Sequence, residues 1–226
     1  MKKWLCLFSV GLLTACSTPV PVSDPEGWHA VPIPGKTATQ YVKVVKEGRP
    51  AWAAHAQQSA SMWRRKLHVP VDQLGEVRFS WWVEAPLAGA DLSAAGRGDA
   101  PARVLFAFEG DPARLSARNR LLFDLAETLS GERPPYATLM YVFGNEAVQA
   151  DAVLQHPRTD RVRKIVLDTD AGQTRRWRDH QRNLAADFRR AFGEEPGALV
   201  SVAVMTDADN TQQQARAWYG PIEFGP

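Results

Sequence analysis

Cysteine is nearly missing from this sequence: two in 226 residues, Cys6 and Cys16, both near the start. The body of the chain therefore has no thiol to close a disulfide, ligate a soft metal or attack a substrate. Its core alone must hold it. An excess of charge is missing too. The chain carries 27 Lys+Arg against 25 Asp+Glu; loss of Lys2 and Lys3 with a leader leaves 25 against 25. Without a basic field, a nucleic-acid role has no support. His29, His55, His68, His156 and His180 share no metal-binding spacing. No Gly-x-Ser-x-Gly elbow, phosphate loop or dinucleotide fingerprint is present. The apolar run from Trp4 to Leu13 makes roughly 15 Å of helix, too short for a ~30 Å hydrocarbon core.

What is present at the start is a leader. Lys2 and Lys3 precede the short apolar run, the arrangement of an export signal. Leu13-Thr14-Ala15-Cys16 then resembles the lipobox of bacterial lipoproteins. That resemblance implies lipid on the Cys16 thiol, cleavage before it, and acylation of the freed amine, as with palmitate. Two or three acyl chains anchor stably where one is marginal. Ser17, in place of aspartate, implies sorting to the outer membrane, facing the periplasm. Residues 1–15 are thus read as signal peptide, 16–26 as lipidated N-terminus and flexible linker, and 27–226 as one β-sandwich domain. The stretch Ser17 to Glu26 holds three prolines and no helical period; ten residues reach at most about 30–35 Å.

From Gly27 the pattern is mainly β. Val77, Phe79, Trp81 and Val83 alternate with Arg78, Ser80, Trp82 and Glu84, a period of two with one face buried. Similar segments at Tyr41 to Val45, Trp52 to Ala56, Met62 to Leu67, Ala102 to Phe108, Thr138 to Phe143, Val162 to Asp168, Leu199 to Thr206 and Ala215 to Phe224 bring the count to nine or ten strands. Two helices are expected. The first follows Asp111-Pro112, with a stripe of Leu115, Leu122, Leu125, Ala126 and Leu129, and ends at Gly131. The second runs from about Arg175 to Phe192 with Trp177, Leu184, Phe188 and Ala191 on one face, leaving Arg175, Arg176 and Arg178 on a solvated one. The expected fold is a jelly-roll-like β-sandwich with two inserted α-helices; the alternative is α+β, with both helices on one face of a single sheet.

Gly27-Trp28, Gly98-Asp99 with Ala102-Arg103-Val104, Ala137 to Val142, Asp187 to Gly193, Thr206-Asp207-Ala208-Asp209-Asn210-Thr211 and Ala217-Trp218-Tyr219-Gly220 occur in that order. In these segments the chain is similar to the bacterial domain-of-unknown-function family numbered 3047. The resemblance covers nearly all of the mature domain and implies a secreted or envelope β-sandwich akin to carbohydrate-binding jelly rolls, with no established activity. Two departures stand out: Trp218 where many members have a second tyrosine, and Asp99-Ala100 where two aspartates are common.

Asp207, Asp209 and Asn210 offer oxygens at close spacing, as a structural Ca²⁺ requires, with Asp99 as a distant ligand. An Asx-rich turn explains the same residues. Asp99 and Arg103 form a ligand site with Asp91 and Asp207, or else Arg103 is the buried partner of an aspartate. Trp81 and Trp82 point to opposite faces of one strand; the outward ring, assigned to Trp82, could stack on a sugar or pack under a helix. Trp218-Tyr219 poses the same choice. Convergence of Asp99, Arg103, Asp187, Asp207, Asp209 and Asn210 decides between a ligand cleft and a closed polar network. The leading expectation is a non-catalytic module that binds carbohydrate or an envelope protein and meets the membrane through its lipid. The alternatives are a polysaccharide hydrolase or lyase using carboxylates, and an assembly lipoprotein with an exposed apolar patch.

Overall fold

The computed structural model describes residues 24–145, 147–169 and 171–225; the leader, Cys16 and most of the linker lie outside them. The described chain folds into two sheets. The larger runs β1 (Trp28–Pro32), β4 (Ala60–Val69), β11 (Leu199–Asp207), β6 (Ala100–Phe108), β7 (Ala137–Phe143), β9 (Val162–Asp168) and β8 (Val153–Gln155). The smaller runs β10 (Trp177–Asn183), β5 (Glu76–Val83), β12 (Gln214–Tyr219), β3 (Arg49–Gln57) and β2 (Gln40–Lys46), with β13 (Glu223–Phe224) also on β5. Among the described residues every pairing is antiparallel except β7 with β9. The inner faces share one core, so the fold is a β-sandwich with two helices, α1 (Ala117–Ser130) and α2 (Leu184–Phe192).

The alternation read in β5 holds: Val77, Phe79, Trp81 and Val83 face the core beside Phe106 and Tyr141. Burying each such side chain is worth about 1.5–3 kcal/mol. Strand β6 differs, being buried along its whole length. Its inner side chains, Ala102, Val104, Phe106 and Phe108, meet the core, while Leu92 packs outside it with Ala100, Val142 and Val166. That outer cover encloses Arg103. Polar tips tie the sheets together. Tyr219 Oη of β12 donates to Met205 O of β11 at 2.7 Å and shares a hydrogen bond with Thr206 Oγ1. Asp168, ending β9, accepts from Trp81 Nε1 at 2.7 Å and from Arg178 Nε and His180 Nε2 at 3.1 Å, reaching β5 and β10.

Both helices differ from expectation. The span read as one helix from Arg175 is strand β10 up to Asn183, and only then α2. Asn183 is the true N-cap, its side chain accepting from Ala186 N. Segment 177–183 becomes a strand because β5 offers a pairing edge and because Asp168 and Asp187 receive Arg178, His180 and Arg182. Arg178 is thus bonded to a buried carboxylate rather than standing on a solvated helix face. In the first helix, Asp111 caps a short 3₁₀ turn and Ser116 caps α1. Its buried face is Asn119 and Phe123; Leu121, Leu125 and Leu129 are exposed. Asn119 faces inward because it bonds Asp160 and Thr159 in the neighbouring loop.

Candidate functional site

On the outer side of the larger sheet, strand ends and loops close around a pocket of about 230 Å³. Val104 faces the core, so Arg103 faces outward. Val204 and Thr206 turn inward on β11, so Asp207 faces outward beside Arg103. The Asp207 carboxylate accepts from Ala100 N at 2.9 Å and pairs with Arg103 Nη2 at 3.0 Å. Arg103 also donates to Gly98 O. Asp99, just before β6, accepts from Asn210 Nδ2 and Thr211 N at 2.7 Å and from Thr211 Oγ1 at 2.8 Å. Asp209 pairs with Lys36 from the loop between β1 and β2.

Of the six residues whose convergence is in question, Asp99, Arg103, Asp207, Asp209 and Asn210 come together. Carboxylate oxygens of Asp99, Asp207 and Asp209 lie within 4.8 Å of one another, and all three residues are buried. A Ca²⁺ ion takes six to eight oxygens. Here Arg103 and Lys36 already neutralise Asp207 and Asp209, and Asn210 and Thr211 satisfy Asp99, so a cation entering this cluster competes with the protein's own donors. Asp187 is elsewhere: on α2 it accepts from Tyr141 Oη and Arg182 Nε, both at 2.7 Å. Asp91 turns back on its own loop, accepting from Ser93 and pairing with Arg97.

Trp82 lies on the other sheet. It does sit on an outer face, in register between Trp177 and Trp218. Yet it is only 7 % exposed, with the Lys46 ammonium 3.8 Å from its ring centroid and the Trp218 ring edge-on at 4.8 Å. Neither of the two readings of the outward Trp82 ring, open to a sugar or packed under a helix, describes it: Lys46, ending β2, covers the ring. Of the neighbouring residues in the sequence, Trp81 and Tyr219 are core and Trp218 is half-buried.

Four cationic or basic groups of the pocket fall outside the sequence expectation, Lys36 and three others. Lys164 on β9 lines the pocket, is buried, and donates to Leu92 O at 2.6 Å. His156 and Arg158 come from the loop between β8 and β9. A lysine inside the apolar run Val162 to Leu167 is the available signal for Lys164; the loop residues offer none. The environments shift these groups. Burial, then the Arg103 charge, lowers Lys164 to about 8. Burial, then Lys164 and Arg103, lowers His156 to about 4. Burial raises Asp207 to about 6 against the opposing pull of Arg103 and the Ala100 N–H, with Asp99 and Asp209 adding to the rise. Shifted groups around a concavity mark a candidate site. Ile33, Ala60, Ala94 and Met205 add apolar surface to a mostly polar lining.

No curated protein matches the chain. Among solved structures, it is similar to an engineered Cel12A cellulase of Rhodothermus marinus: 13% identity, TM-score 0.44, 87% of this chain and 90% of that one. A family 11 carbohydrate-binding module of Clostridium thermocellum gives 9% identity and TM-score 0.43 over 91% and 94% of the two chains. The xyloglucanase domain of NopAA from Sinorhizobium fredii gives 8% and 0.41 over 90% and 97%. The profile of a family described as protein of unknown function, DUF3047, matches residues 26–223, and the chain belongs to that family.

Proposed function

We propose that this chain is a non-catalytic glycan-binding lipoprotein of the bacterial envelope, anchored through lipid on Cys16 at the outer membrane and facing the periplasm. The observation that carries the binding reading is the pocket at Arg103 and Asp207. A sugar presents hydroxyl donors and acceptors around an apolar ring face. The pocket offers the complement: carboxylates of Asp207 and Asp209, nitrogen donors of Lys36, Arg103 and Lys164, and some apolar surface. Its volume of about 230 Å³ is below the ~300 Å³ lower end of small-molecule pockets. That suits one sugar unit of a chain rather than a long segment. Non-catalytic binding is favoured because Asp99, Asp207 and Asp209 are all engaged by protein donors, leaving no free carboxylate pair in this pocket.

One observation favours a second reading, a polysaccharide hydrolase. A carboxyl raised to about 6, as at Asp207, suits a general acid near neutral pH. A panel of cell-wall and exopolysaccharide oligosaccharides, titrated into the mature chain by calorimetry and assayed for new reducing ends, separates the two. Millimolar or tighter binding without cleavage is expected. Cleavage lost in Asp207→Asn would establish the hydrolase instead, and no binding by any member would remove the glycan reading. The anchor is checked by fractionating Cys16→Ala, expected to leave the membrane fraction; unchanged partition with membranes would contradict lipidation there.

A further inference from the structure

The pocket holds more positive charge than its own carboxylates use. Lys36, Arg103, Arg158 and Lys164 face it against Asp207 and Asp209, with Asp99 close behind them and satisfied by Asn210 and Thr211. Lys36 pairs with Asp209 and Arg103 with Asp207. Among the described residues, neither Lys164 nor Arg158 has a carboxylate within ion-pair distance, and the Lys164 ammonium spends its one hydrogen bond on Leu92 O. Arg103 Nε is likewise buried without an acceptor. A buried charge is costly unless paired, and a burial-lowered lysine near 8 is still mostly charged at neutral pH. His156 adds a neutral donor: its Nδ1 accepts from Arg158 N at 3.2 Å, which leaves the proton on Nε2.

We propose that the unit taken into this pocket is a sugar acid, whose carboxylate pairs with Lys164 and is flanked by Arg158 and His156. This rests on the glycan reading above and adds the class of glycan. A singly charged carboxylate fits better than a phosphate dianion because Asp207 and Asp209 share the same space and repel a second negative charge more strongly. The sugar ring lies against the apolar side chains Ile33, Ala60, Ala94 and Met205, which share the lining with its polar groups.

The test is calorimetric titration of the full mature chain, in detergent micelles, with trigalacturonate, its methyl ester, cellotriose and inorganic phosphate. Trigalacturonate is expected to bind at least about tenfold more tightly than the ester or cellotriose, a difference of roughly 1.4 kcal/mol. Lys164→Met should remove most of that preference and leave the neutral ligands unchanged. Arg158→Gln, at an exposed position, should weaken trigalacturonate several-fold and guards against misfolding of the Lys164 variant. Equal binding of the ester, or binding of cellotriose alone, overturns the sugar-acid assignment while leaving glycan binding intact. Phosphate binding as tight as trigalacturonate overturns it in favour of a general anion site. Binding of none of the four overturns it along with the glycan reading for these sugars.

Discussion

Arg103→Met is expected to destabilise the domain by about 3–5 kcal/mol at neutral pH, the cost of leaving a buried carboxylate without its counter-charge. Asp207 is 4 % exposed, and without the guanidinium at 3.0 Å only Ala100 N–H holds it. At roughly 2–4 °C per kcal/mol for a domain of this size, the thermal midpoint should fall by about 10 °C. The double variant Arg103→Met with Asp207→Asn should recover most of the loss. The amide oxygen introduced by Asp207→Asn would still accept from Ala100 N, and a buried pair replaced by neutral groups is often tolerated. The pH dependence has a defined sign. Asp207 titrates near 6 in the folded protein, above its ordinary 3.8, so the folded state binds that proton more tightly and stability falls as pH rises through this window. Removing Arg103 widens the window, so the deficit of Arg103→Met should shrink as pH drops from 7 toward 4. A deficit constant over that range would mean that Asp207 is not the unpaired group.

Asp168→Ala is expected to cost about as much, roughly 3–5 kcal/mol, for a different reason. Asp168 is fully buried and is the acceptor at which β9 of one sheet meets β5 and β10 of the other. Its loss strands the Trp81 indole N–H and the His180 ring nitrogen inside the sandwich. Asp168→Asn keeps an acceptor for Trp81 and should cost about half as much, in line with the weaker hydrogen bonds of a neutral acceptor. Here the pH sign is reversed. Burial pushes Asp168 up, but the hydrogen bond and charge of His180, with Trp81 and Arg178, hold it below its ordinary value. Its contribution is therefore complete above about pH 4 and is lost only as pH falls through the folded value. Chemical denaturation of wild type and Asp168→Ala at pH 5 and pH 3 should give a smaller difference at the lower pH; a difference that does not fall would contradict the assignment.

The two carboxylates also show what is legible in the sequence. The period-two alternation in β5 places Trp81 in the core, and Asp99, Arg103, Asp207 and Asn210 stand out in the sequence as residues whose meeting would matter, but only the fold shows that they meet. Segment 177–183 reads as helix because its alternation is polar: Arg178, His180 and Arg182 face inward only because Asp168 and Asp187 receive them. The leucines of α1 mislead in the opposite sense. An apolar stripe implies a buried face, yet Leu121, Leu125 and Leu129 are solvent-facing and the helix docks through Phe123 and a hydrogen-bonded Asn119. Lys36 reaches the pocket from a segment more than a hundred residues away from His156, Arg158 and Lys164, and apart from the lysine within β9 no local pattern announces that. The outward turn of Trp82 follows from strand alternation, but its cover by Lys46 is a tertiary contact.

The central claim is that ligand enters at Arg103, His156 and Lys164 rather than over the tryptophans of the other sheet. The most direct measurement is a backbone ¹⁵N NMR titration of the mature chain with trigalacturonate. Shifts concentrated at Arg103, His156, Lys164 and Asn210, saturating only at about tenfold higher ligand concentration in Lys164→Met, are the expected result. Shifts concentrated at Trp82, Trp177 and Trp218, with the pocket silent, would contradict it.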